Sequence, residues 1–71
     1  MIKISIITNG TLAIAWDVFL NGVYYAHIEY RKWNGEMRFE HRSGCWFVNA
    51  NTMKAQQMAL DEAASIGIEE E

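Results

Sequence analysis

The chain has no proline, one cysteine, five glycines, and six basic residues against nine acidic ones in 71 positions. The single cysteine, Cys45, excludes an intrachain disulfide framework and points to a reducing setting. A net charge of −3 argues against general affinity for polyanions and leaves room only for a local basic patch. No apolar run approaches the roughly 18 residues that a membrane span needs. Met1-Ile2-Lys3 leads straight into a strand pattern rather than a signal peptide, so the expectation is a complete soluble chain in the cytoplasm. There is no Walker loop, GxGxxG, CxxC pair or HExxH motif, so neither catalysis nor a cofactor nor a metal is expected.

Half of the chain (51%) is apolar, and nine residues are aromatic, which is the composition of a globular domain. At this length a core supplies only about 3–5 kcal/mol of net stability, which favours help from a partner chain. With proline missing, glycine, asparagine and serine carry the turns. Asn9-Gly10, Asn21-Gly22 and Asn34-Gly35 recur at spacings of 12 and 13 residues, and Ser43-Gly44 is a weaker fourth signal. Asn-Gly favours the two-residue type I′ hairpin, because both residues tolerate positive φ.

Counting from these turns predicts strands over 2–8, 11–20, 23–33, 36–42 and 45–49. A helix follows over 53–66, with Asn51 or Thr52 as N-cap and Gly67 as its left-handed stop. The fold class is α+β: an antiparallel meander of four to five strands with one C-terminal helix packed on one face. It forms a single domain over 1–67 with an acidic tail at 68–71. One face reads Ile4, Ala15, Ile28, His41, Trp46 and Ile6, Ala13, Tyr30, Phe39, Val48, and the helix stripe Ala55, Met58, Ala59, Ala63, Ile66 suits a close approach to it.

On the other face the count leaves Leu12, Ile14, Trp16, Val18 and Leu20, continued by Val23 and Tyr25, with no element to cover them. Contiguous exposed apolar surface marks an interaction site, so Leu12, Ile14, Trp16, Val18, Leu20 and Tyr25 are the candidate partner interface, with a homodimer the first expectation. A one-residue bulge would instead exchange faces and fold part of this stripe into the core, and Asp17, which the count places on the core face, is the residue that suggests it. The rest of this face is a charged surface of Glu29, Arg31, Arg38, Glu40 and Arg42, with like charges opposite and compensation along the diagonals Glu29/Arg38 and Arg31/Glu40. His27 and His41 fall on opposite faces and cannot share a ligand. His27 and Cys45 share a face but stand two strand spacings apart, too far for a thiol–imidazole bond.

The basic side chains Lys3, His27, Arg31, Arg38 and Arg42, with Trp16, Tyr25, Trp33 and Phe47 nearby, also suit a single-strand nucleic-acid surface. Interleaved Glu29, Glu36 and Glu40 weaken its field.

Residues 12–66 bring together an aromatic-rich hairpin, a glycine turn, Asn51-Thr52 opening an alanine-rich helix, Lys54-Ala55 and Asp61-Glu62-Ala63. This resembles small phage and prophage proteins, anti-CRISPR proteins among them. The resemblance implies a short acidic inhibitor that occupies a host protein, for example a CRISPR defence component. The order of elements, with Gly35-Glu36-Met37 and a helix after the last strand, is similar to the positive-cofactor-four and Whirly single-strand binders, and implies a dimer that holds single strands. Gly44-Cys45 and Thr52 leading into the helix resemble HicB-type antitoxins, whose sheet is shorter.

Overall fold

The computed structural model describes residues 1–70, with side chains through Ile68. Its elements are β1 (Ile2–Asn9), β2 (Ala13–Leu20), β3 (Val23–Arg31), β4 (Glu36–His41), β5 (Gly44–Asn49) and α1 (Thr52–Glu70). The strands form one antiparallel sheet in chain order, so β1 and β5 are its edges. The α+β meander is therefore as the turn signals predict.

Only one of the four turns is the two-residue type I′ hairpin. Asn21 and Gly22 take φ of 53° and 82° and close Leu20 against Val23. Asn34-Gly35 ends a four-residue loop, in which Gly35 at φ 69° donates its N–H to Arg31 O (2.9 Å) and Asn34 Oδ1 accepts from Glu36 N–H (3.0 Å). A Cβ on Gly35 would lie 3.0 Å from Ala50 O, so both φ and space require glycine there. Asn9 pairs with Ile14 across a loop of residues 10–13, and neither Asn9 nor Gly10 has positive φ. At the fourth turn Arg42 and Ser43 form the loop, and Gly44 begins β5.

Residues 2–6 of β1, residues 26–31 of β3, and β4 and β5 keep the faces of the count; β2 is turned over, and Thr8 and Tyr24, which lie beyond the bulges in β1 and β3, change face with it. The register slips by one residue on both of its sides: between Ile6 and Thr8 of β1, and at Val18/Phe19, where Tyr25 of β3 is left over. The physical reason is a choice of what to bury. The simple count would put the Asp17 carboxylate under the helix, where burial without a partner costs several kcal/mol. It would also leave Trp16 and Val18 in water, forgoing about 1.5–3 kcal/mol each. With the two bulges Trp16 and Val18 are instead buried (2% and 0% exposed), together with Ile28, Tyr30, Met37 and Phe39, while Asp17 faces the other way.

Asn51 is the N-cap of α1: its Oδ1 accepts the Lys54 N–H at 2.9 Å, and its carbonyl accepts the Ala55 N–H at 3.0 Å. Ala55, Ala59, Ala63 and Ile66 line the buried stripe, and α1 packs chiefly on β1, β2 and β3. The helix does not stop at Gly67 but continues to Glu70; of the tail at 68–71, Glu71 and the side chains of Glu69 and Glu70 lie outside the described residues. Gly67 serves packing instead, since a Cβ there would sit 3.2 Å from Ile2 Cγ2. Gly67→Val therefore gains helix propensity but crowds β1, and is expected to destabilise by about 1 kcal/mol net, read from the urea midpoint.

Candidate functional site: the outer face and the β5 edge

With β2 turned over, the expected apolar stripe does not exist. Trp16 and Val18 are core; Ile14 and Tyr25 are partly buried against it; Leu20 is half-buried at the end of β2; Leu12 is exposed in the 10–13 loop. The placement of a partner interface on β2 is thus corrected by the two bulges. The signal for it lay in Asp17, which sits directly opposite His27 and meets its Nδ1 at 2.9 Å.

The outer face, away from α1, is polar. A row runs straight across it from Ser5 through Asp17, His27 and Glu40 to Cys45. A hydrolytic relay needs histidine between the nucleophile and the acid. Here Asp17 stands between Ser5 and His27, and Glu40 between His27 and Cys45. Among the described residues no group of three or more His, Cys, Asp or Glu is placed to hold a metal ion, and no helix is long and apolar enough to cross a membrane.

Arg31 and Arg38 are neutralised where they stand. Opposite charges face each other, Glu29 with Arg38 and Arg31 with Glu36, rather than the like charges that the turn count implied. Arg31 binds Glu36 Oε1 through Nη1 (2.9 Å) and Glu29 Oε1 through Nε (3.3 Å), and Arg38 Nη2 binds Glu40 Oε2 (3.1 Å). Arg38 Nε also donates to Cys45 Sγ (3.3 Å), and this bond, with Glu40 beside it, raises the guanidinium pKa further above its ordinary value. Arg42 lies in the β4–β5 turn with its Cζ 5.5 Å from the centre of the Tyr25 ring. Beside it an open hollow of about 280 Å³ is lined by Tyr24, Tyr25, Glu40, His41 and Arg42. Partial burial, with Asp17 and Glu40 nearby, pushes the Tyr24 phenol up.

On the helix side, as expected, His41 is separated from His27 by the sheet. Its Nε2 lies 3.0 Å from Glu62 Oε2 of α1, outside hydrogen-bond geometry. His41 also belongs to an aromatic chain that leads outward: Tyr25 edge-on to His41 (5.7 Å), His41 against Trp46 (4.8 Å), and Trp46 stacked on Phe39 (5.3 Å, 13° between planes).

That chain ends at the feature the turn count did not single out. β5 is exposed along most of its length and has no charged residue, with Trp46 and Phe47 40% and 52% exposed on its two faces. Its unpaired hydrogen-bonding groups follow from the ladder. Ala50 N–H bonds to Gly35 O (2.8 Å), so by antiparallel alternation Gly44, Trp46 and Val48 bond inward to β4. The N–H and C=O of Cys45, Phe47 and Asn49 therefore point away from the sheet. The opposite edge is protected in the usual ways, by Lys3 and by the bulge at Ile7. No family model, curated protein or solved structure matches the chain.

Proposed function

We propose that the protein is a non-enzymatic binding protein that takes a protein partner by strand addition along β5. The observation that carries this reading is the combination on one edge of free backbone groups at Cys45, Phe47 and Asn49, exposed Trp46 and Phe47, and no charge to repel an incoming strand. Main-chain hydrogen bonds supply affinity in such pairing, and alternate side chains supply specificity. The narrower reading, an acidic phage-type inhibitor that occupies a host protein such as a CRISPR defence component, draws its support from the C-terminal resemblance. The ion pairs of Arg31 and Arg38 weigh against the single-strand nucleic-acid reading, because paired guanidinium groups release few counterions.

Bait capture from host lysate, with amide exchange on the captured complex, tests both readings. Partners held by the unmodified chain should be lost with Phe47→Lys and kept with Lys3→Glu on the other edge, and the amides of Cys45, Phe47 and Asn49 should gain protection. Partners indifferent to Phe47→Lys would remove strand addition. In parallel, a labelled single-stranded oligonucleotide should show no binding at physiological salt; sub-micromolar affinity that falls steeply with salt would put the nucleic-acid reading first.

A further inference from the structure

Resting on the strand-addition reading, we propose that the strand received by β5 is β5 of a second copy, paired antiparallel about a two-fold axis at Phe47, so that two five-stranded sheets become one continuous sheet.

The free groups select this register. Side chains opposite each other in an antiparallel pair must share a face, so a two-fold axis normal to the sheet has to pass through a residue, not between two residues. Centred on Phe47, Phe47 pairs with Phe47 of the second copy, and each Cys45 with the other copy's Asn49. Every outward N–H and C=O of the three residues then has a partner. Centred on Trp46, the outward groups of Asn49 would face Ser43, which belongs to the β4–β5 turn, and go unpaired. The Phe47 register also sets Trp46 against Val48 of the other copy on the helix side, which extends the Phe39–Trp46 stack, and Phe47 against its counterpart on the outer face.

Charge permits the same arrangement. β5 has no charged residue, and the nearest like charges in the central row are the two Arg38 side chains, one strand inside each copy. Three strand spacings separate them, roughly 14 Å, which exceeds the screening length of about 8 Å at physiological salt. A symmetric pairing at β1 would have to accommodate Lys3 and the bulge at Ile7. One strand and two aromatic side chains per copy form a small interface, so the dimer should exchange with monomer in the micromolar range.

Sedimentation equilibrium should show that exchange, and Phe47→Lys, which sets two ammonium groups on the axis, should give monomer at every concentration with an unchanged circular dichroism spectrum. Register is read by oxidative trapping in a Cys45→Ser background. Phe47→Cys should cross-link rapidly, because the axis places the two Cα atoms about 5.5 Å apart, inside the range a disulfide spans. Trp46→Cys and Lys3→Cys should not. Faster trapping through Trp46→Cys would overturn the register, and a monomer at millimolar concentration would overturn self-pairing. If that monomer still captured a partner lost with Phe47→Lys, strand addition would stand with a different occupant, so the two readings fail separately.

Discussion

Trp16→Ala is expected to remove most or all of the stability of this domain. The indole is 2% exposed and sits in one cluster with Val18, Ile28, Met37 and the alanines of α1. Truncating a buried tryptophan costs about 3–5 kcal/mol, through lost transfer energy and the cavity left behind. That matches the whole net stability that a core of this size supplies, about 3–5 kcal/mol. In chemical denaturation the variant should show no native baseline, or a midpoint close to zero denaturant. Trp33→Ala is the matched control: Trp33 is 61% exposed in the β3–β4 loop, and its loss should shift stability by no more than about 0.5 kcal/mol. Equal effects at the two positions would mean that β2 does not present Trp16 to the helix, and the two-bulge register would fall with it.

Ala59→Leu should destabilise by about 1–3 kcal/mol, although leucine is a good helix former and more apolar than alanine. Ala55, Ala59 and Ala63 recur every fourth residue on the buried stripe and are 0–4% exposed, so the backbone of α1 lies close to the sheet with only methyl groups between. Three further carbons at Ala59 have no space unless α1 lifts off, and lifting it uncovers Trp16, Val18 and Ile28. Gln56→Leu places the same side chain on the exposed face of the same helix and should change stability by no more than about 0.5 kcal/mol. Urea midpoints of the two variants decide the matter. A higher midpoint for Ala59→Leu would reveal a void under the helix and contradict the close approach.

The alanine stripe was readable from spacing alone, because i, i+4, i+8 is a local property of a helix whatever it packs against. The position of Trp16 was not readable that way. A face assignment in a sheet is a running count, and one extra residue anywhere reverses everything beyond it. The bulges at Ile7 and Tyr25 lie in the β1 and β3 neighbours of β2, so they reversed β2 together with the short ends of β1 and β3 beyond them, and left residues 26–31 of β3, β4 and β5 with the expected faces. The loops at Asn34-Gly35 and Ser43-Gly44 also differ from the count, but they shift the register by two residues, which moves partners along the strand without changing face. This is why the expected core residues Ile28, Tyr30, Phe39, Trp46 and Val48 keep their side, while the expected like-charge pairs become the opposite pairs Glu29–Arg38 and Arg31–Glu36.

The amino-acid sequence by itself determined the order of the strands, the type I′ turn at Asn21-Gly22, a helix cap at Asn51 or Thr52 and the small-residue face of α1. Each of these rests on the conformational preference of a few neighbouring residues. The tertiary structure decided which face of β2 is buried, that Gly67 serves a close contact with Ile2 rather than a helix stop, and that Trp46 and Phe47 stand exposed on a strand edge with no charged residue. Those outcomes depend on competition between burying Trp16 and Val18 and burying Asp17, and on how far one helix reaches across five strands. Such balances exist only once distant segments have met.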